Sequence, residues 1–341
     1  MSEVVTAGEQ ARQHYLVNSL MEEAIRSSQL EGASTSRRVA KEMLRSGRAP
    51  RDRSEQMIIN NFRALQFMRD RADEAIAPSQ IIELQRMLTE GTLDEGAAGG
   101  RLQTPDEERV VVLDRVDGSV LHVPPSADEL PGRLTALCDF ANEDDDDHFV
   151  HPVVRSILLH LWLAHDHPFE DGNGRTARTL LYWSMARRGY WLVEYLSISK
   201  ILRKAPGAYN RALLLTETDG NDATYFLLHQ LGVIEQAVDE LHGYLRRKVR
   251  DVQDVERLVR NSDAFNHREL ALLGDAVRDP SSTYTYAAHA RSHGVTHETA
   301  RVDLLHLARL GLLVQQGRRR PHAYHPPDDL TDRLRALDPE G

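Results

Sequence analysis

The feature that most constrains this chain is a strongly apolar stretch, His151 to His165, that runs through a glycine-rich turn into a second helical pattern. In the first part Val154, Ile157, Leu158, Leu161 and Trp162 fall at helical spacing. That spacing predicts the buried central helix of an α-helical domain. Thr176 to Arg188 carries the second pattern, and Gly189 closes it. Asp171, Gly172, Asn173 and Gly174 lie between them and form a tight turn. A helix starting from such a turn presents free amides. Its unpaired N–H groups and its macrodipole both favour a negatively charged ligand.

The flanking segments are mostly helical. Leu16, Leu20 and Ala24 recur four apart, with Val17, Met21 and Ile25 beside them, until Gly32 supplies a stop. A short segment around Val39, Met43 and Leu44 ends near Gly47 and Pro50. Ile58, Phe62, Leu65 and Met68 mark the next helix, and Pro78 opens another through Ile81, Ile82, Leu84 and Leu88. From Gly91 to Pro125 the character changes. Val110–Leu113 and Ser119–Val123 flank Asp117-Gly118, the signature of a β-hairpin. The acidic run Glu143 to Asp147 reads as a solvated loop, and Tyr225 to Leu245 as further helix. Residues 262–330 form a separate small unit of helix, turn, helix and short hairpin. In it Thr296 caps a helix through Ala300, Leu304 and Leu307, and Gly311 ends that helix.

Composition removes several alternatives. At 341 residues the chain is expected to hold about two domains. The net charge is −10, so any nucleic-acid contact must rest on a local patch. Cys138 is the only cysteine, which excludes an intramolecular disulfide and a zinc site of several thiolates. No uncharged stretch reaches the length of a spanning helix, about 18 residues. The N-terminus has no basic segment leading into an apolar run. A soluble, cytoplasmic protein without a membrane partner is therefore expected.

The chemistry concentrates in His167-Pro-Phe-Glu-Asp-Gly-Asn-Gly-Arg-Thr-Ala-Arg178. Arg175 and Arg178 stand three apart on the second helix and share a face. Two arginines beside an amide nest suit a polyphosphate. Asp171 is a hard oxygen ligand at the same place, and magnesium on phosphates uses one or two carboxylates. His167 precedes the turn, where it can take a proton from an incoming hydroxyl. His165 and His167 flank an aspartate but lack the spacing of a zinc-binding helix. Base, metal ligand, amide nest and two arginines all fall within twelve residues.

This segment resembles the active-site motif of the Fic family, HPFx[D/E]GNGRxxR, with all nine fixed positions filled. The likeness extends over about residues 10–245. It implies an α-helical fold and transfer of AMP from ATP to a Ser, Thr or Tyr hydroxyl of a target protein, with Mg2+ and release of pyrophosphate. By that resemblance His167 is the general base, Phe169 packs inward and Asp171 holds magnesium between the α- and β-phosphates. Gly172, Asn173 and Gly174 line the anion hole, Arg175 contacts phosphate in the same nest, and Arg178 pairs with the γ-phosphate. Ser27-Ser-Gln-Leu-Glu31-Gly32 resembles the family's inhibitory motif, in which Glu31 competes with ATP for Arg178. In some relatives the matching glutamate also serves removal of AMP. The hairpin at 110–123 resembles the family's target-docking flap, and Tyr209, Asn210, Asp222 and Thr224 lie where relatives line the base pocket or support the core.

The expected fold class is thus mainly α, with an N-terminal helical region carrying the inhibitory helix (1–95), a Fic core with its flap hairpin (96–250) and a C-terminal winged helix (262–330). In the last, His297 and Arg301 begin the candidate recognition helix and Arg318, Arg319 and Arg320 form the wing tip. Across 285–324 six arginines stand against Glu298 and Asp303, a local charge of +4. DNA contact is one reading of this patch, and docking or pairing with a second copy of the chain is another. The leading expectation is an autoinhibited protein adenylyltransferase, acting on another protein or on itself. The alternative is a DNA-binding regulator whose core senses nucleotide.

Overall fold

Caps and prolines set the helix boundaries. The computed structural model describes residues 9–94, 99–113, 120–143, 149–261, 264–278, 282–316, 322–327 and 329–336. Helix α1 (Glu9–Leu30) ends at Gly32, whose φ of +93° lets Ala33 N donate to Ser28 O at 3.0 Å. Helix α2 (Arg37–Ser46) is capped by Ser36 and stopped by Gly47. Asp52 caps α3 (Arg53–Arg69), and Pro78 opens α4 (Pro78–Thr89). A hairpin follows, with β1 (Val112–Leu113) antiparallel to β2 (Val120–His122), pairing Val112 with His122 and Leu113 with Val120. Its strands are shorter than the apolar runs that predict them. The Asp117-Gly118 turn lies outside the described residues, as does the acidic run after Glu143.

Helices α5 (Leu130–Asn142), α6 (Pro152–Asp166), α7 (Asn173–Arg187), α8 (Ile198–Leu202), α9 (Pro206–Thr218) and α10 (Thr224–Asn261) follow, with short 3-10 turns at Ala127–Glu129 and Trp191–Tyr195. The chain divides into two units, and Leu16–Asp239 form the larger. In it α6 and α7 share the most extensive helix contact. The core gathers Leu84 and Leu88 of α4, Leu134 and Leu137 of α5, Leu159 and Leu163 of α6, and Ala177, Leu180 and Trp183 of α7 around Phe169.

The helix shut off from solvent on all sides is α7, not the more apolar α6. From Asn173 to Met185 every α7 residue except Gly174 is buried, whereas α6 leaves Val153, Val154, Leu158 and Trp162 only partly covered. Apolar content points to α6 because α7 carries Arg, Thr and Ser. The hydroxyls are satisfied internally: Thr176 Oγ1 donates to Gly172 O and Thr179 Oγ1 to Arg175 O, each at 2.9 Å, and Ser156 Oγ bonds Ser184 Oγ at 2.8 Å.

In the second unit α11 (His267–Arg278), β3 (Tyr284–Thr285), α12 (Tyr286–His293), α13 (His297–Arg309), β4 (Val314–Gln316), β5 (Ala323–His325) and α14 (Leu330–Ala336) follow in order. The three strands pair antiparallel as β3-β5-β4, with Tyr284 opposite Tyr324 and Gln315 opposite Tyr324 on its other side. Thr285 and Thr296 cap α12 and α13. Leu273, Leu304, Leu307, Leu312 and Tyr324 form the core. Arg318, Arg319 and Arg320 lie outside the described residues. Among the described residues no helix is long and apolar enough to cross a membrane.

Candidate active site

The loop between α6 and α7 is held from several directions. His167 ends α6 in a left-handed conformation, φ 45° and ψ 57°, with its N–H donating to Leu163 O at 3.1 Å. A non-glycine residue in this region is strained and persists only where its surroundings fix it. Phe169, wholly buried, anchors the loop in the core. Asn173 clamps it: its Oδ1 accepts from Phe169 N at 3.0 Å, and its Nδ2 donates to Phe169 O at 2.6 Å. The same Nδ2 stands 3.2 and 3.3 Å from the two His167 ring nitrogens. Gln85 of α4 donates to Asp171 O at 2.9 Å, and Gly172 (φ +84°) packs beneath Thr89, whose Cγ2 would lie 3.0 Å from any added Cβ. Phe169→Ala is therefore expected to lower the unfolding free energy by about 3–5 kcal/mol. A thermal melt reads this, and an unchanged midpoint would refute the anchoring role.

The arginines turn in different directions. Arg175 is fully buried, donating from Nη1 to Leu88 O at 2.7 Å and from Nη2 to Asp171 Oδ2 at 3.2 Å. In this conformation it braces Asp171, whose side chain is 38% exposed. Arg178, buried, donates from Nε to Ser27 Oγ at 2.9 Å, and from Nη2 to Ser27 O at 3.2 Å and Glu31 Oε1 at 2.7 Å. A Cβ on Gly174 would collide with the Glu31 carboxylate, so that carboxylate lies directly against the first turn of α7. Glu31 therefore lies against the start of α7 while holding Arg178. Burial, the largest influence, works against the charge of Arg178, but Glu31, Tyr209 and Glu23 together outweigh it and raise the guanidinium pKa.

His167 is half-buried. Burial first, then the Arg109 charge, holds its pKa below the ordinary histidine value, and the Glu31 and Asp171 carboxylates oppose the shift. It is thus a neutral imidazole near neutral pH, the form that accepts a proton. Behind Arg178, His160 is wholly buried against Tyr209, with its Nε2 3.0 Å from the phenol oxygen and its pKa pushed down to about 3 by burial. Of the positions loosely expected around a base, Tyr209 is buried here, whereas Asn210 and Asp222 are exposed and Thr224 is exposed at the start of α10.

Sequence reading brings together His167, Asp171, Gly172, Asn173, Gly174, Arg175, Arg178, Ser27 and Glu31, and the fold gathers all nine around one loop. His297 and Arg301 lie in the other unit. There His297 sets its ring edge-on to Tyr286 at 5.6 Å, and Arg301 pairs with Glu298 at 2.7 Å. Several residues escape sequence reading: Arg109, Gln103, Gln85 and the buried Glu23, which accepts from Ser199 N and Ser197 Oγ at 3.0 Å. Nothing local marks them, because each acts on backbone or side chains distant in sequence.

A family profile described as the Fic/DOC family matches residues 75–185, a range that includes all of α6, the whole loop and α7 as far as Met185. The chain carries a Fic domain. The chain is similar to protein adenylyltransferase Fic of Nematostella vectensis, 39% identical over 69 residues, and to that of Drosophila willistoni, 41% identical over 69 residues. These alignments span 20% of this chain and 16% and 14% of the two relatives. The fold extends further than the Fic domain. A solved Fic family protein from Desulfovibrio desulfuricans superposes with a TM-score of 0.60 at 21% identity, over 96% of this chain and 93% of its own. A Fic domain containing signaling protein from Bacteroides thetaiotaomicron gives 0.58 at 21% identity, over 82% and 94%. Ser27 and Glu31 lie on and just after α1, outside the matched range of the Fic domain.

Proposed function

We propose that this chain is a protein adenylyltransferase held in an inhibited state by Glu31. The observation that carries the reading is the Glu31–Arg178 pair, 2.7 Å long across 147 positions of sequence, beside the amides that begin α7. A carboxylate there mimics a phosphate and occupies the cation that a triphosphate would need.

The chemistry follows from the loop. The α7 N-terminus with Gly172, Asn173 and Gly174 cradles the phosphates of ATP, and Arg178, once released, pairs with the γ-phosphate. His167 accepts the proton of the target hydroxyl as its oxygen attacks the α-phosphorus. The bond from that phosphorus to the bridging oxygen breaks, and pyrophosphate leaves. Such a transfer depends on positioning and charge stabilisation more than on covalent catalysis. The exposed valines on and beside the hairpin strands, Val110, Val111, Val120 and Val123, each 40% or more exposed, support docking of the target there, with strand addition as the mode.

The donor set fits magnesium brought in on phosphates. Asp171 offers one partly exposed carboxylate, and among the described residues no three His, Cys, Asp or Glu side chains converge as a ready-made metal site. Asp171 would hold the ion, which when bound neutralises charge on the phosphates. The test is intact-mass spectrometry of wild type and Glu31→Gly after incubation with ATP and magnesium. An AMP adduct confined to or greater in the variant supports the reading, and none in either form, with or without candidate proteins, sinks it.

A second role is favoured by the C-terminal unit. Its order of helix, strand, two helices and hairpin, with β5 between β3 and β4, supports a winged-helix reading. The α13 face exposing His297 and Arg301, with the wing arginines Arg318, Arg319 and Arg320, would contact DNA. A gel shift on mixed duplexes is expected at low salt and to fade steeply as salt rises. The absence of any shift at low salt would assign the unit to protein docking.

A further inference from the structure

We propose that Arg109 is a positioning residue that locks the base of the β1–β2 hairpin to the backbone of His167, so that a segment paired on the hairpin is held in register with the His167 ring. The proposal rests on the adenylyl-transfer reading for its role in activity, though not for its structural part.

The end of α6 leaves backbone carbonyls without helical partners. Arg109 meets two of them, donating from Nη2 to Asp166 O at 2.6 Å and from Nη1 to His167 O at 3.0 Å. A cation at a helix C-terminus is also favoured by the macrodipole. The same guanidinium reaches across the hairpin base, with Nε donating to Pro125 O at 3.1 Å. Arg109 thus immediately precedes the exposed Val110–Val111 edge and bonds the segment just after β2. It therefore closes the hairpin at its foot while gripping the loop.

Gln103 adds a parallel tie. Its side-chain oxygen accepts from Arg109 Nη1, and its N–H donates to Pro168 O at 3.0 Å. Consecutive carbonyls from Asp166 to Pro168 are therefore all held from the segment 103–109. From within the hairpin, His122 Nε2 lies 3.1 Å from His165 O. Asn173 stands at the ring of His167, so the residue is fixed at both backbone and ring. Its strained left-handed backbone needs that support. Only a planar fork spreads donors over three carbonyls and a side-chain oxygen, which a lysine cannot do. Arg109 makes none of its hydrogen bonds to Asp171, Arg178 or the α7 amides. Losing it should disturb registration while leaving nucleotide affinity intact.

The test compares Arg109→Ala, Arg109→Lys and Gln103→Ala, each in the Glu31→Gly chain. Hydrogen exchange by mass spectrometry should show the hairpin peptides and the 163–170 peptide losing protection together in Arg109→Ala, with Arg109→Lys intermediate. ATP affinity by titration calorimetry should stay unchanged, while label incorporated from ATP falls by about tenfold or more, the cost of a misplaced reacting group. Faster exchange in the hairpin alone would overturn the proposal, as would ATP affinity falling in step with melting temperature. If Arg109→Ala does not fold, Arg109→Lys and Gln103→Ala give the same comparison in milder form. A parent chain that incorporates no label would count against adenylyl transfer, and the exchange data would still decide the Arg109 lock.

Discussion

Glu31→Gly is expected to raise AMP incorporation by at least about tenfold. A hydrogen bond to a charged group contributes about 1.5–3 kcal/mol, and about 1.4 kcal/mol corresponds to a factor of ten in population. Glu31 must yield Arg178 before a γ-phosphate can take it, so that free energy is subtracted from productive binding. The substitution is a clean probe. The Glu31 side chain is 34% exposed, so truncating it opens no core cavity. Helix α1 keeps its other ties: Ser28 Oγ donates to Met57 O at 3.2 Å, Asn61 Nδ2 to Ala24 O at 3.3 Å, and Glu23 still accepts from Ser199 N. Arg178 also keeps Ser27, whose hydroxyl is neutral and competes weakly with a phosphate. The variant should therefore stay folded with α1 in place and differ chiefly in access to Arg178. Equal incorporation of label from ATP by both forms would remove autoinhibition from the reading.

What was legible in the sequence was local. The loop chemistry lies within His167–Arg178, where the chain has no opportunity to rearrange its order, and Gly172 and Gly174 mark the turn because a left-handed φ and a close carboxylate demand them. Gly32, Gly47 and Thr296 likewise mark their helix ends by cap chemistry. What was illegible depended on distant partners. The burial of α7 cannot be read from NGRTARTLLYWSMAR, since its hydroxyls and the ends of its arginines are met by backbone and by Ser156, Ser27 and Leu88 on other elements. Arg175 looks like a phosphate contact from its spacing, and only the fold reveals the Leu88 carbonyl that draws it inward. Arg109 gives no signal at all: a single arginine before a strand is ordinary until α6 ends beside it.

His167→Ala, made in the Glu31→Gly chain, is expected to lower AMP transfer by about 10²–10⁴-fold, the usual contribution of a positioned general base. ATP affinity should be retained, because in the proposed mechanism the phosphate groups are met by the α7 amides and Arg178 and not by the imidazole. Retained DNA binding beside lost transfer would show that the two activities are independent. Undiminished transfer would mean that another group takes the proton. The pH profile makes the assignment specific. Protonation disables the base, so activity should fail on the acid side as pH drops through the His167 pKa. Burial and the Arg109 charge depress that pKa, which places the acid limb below the ordinary 6.5. Glu31 and Asp171 pull it the other way. Removing Glu31 takes away one of the charges that favour the imidazolium, so Glu31→Gly should carry its acid limb to still lower pH. A limb above 6.5 in that variant would contradict both the burial of His167 and its role as the base.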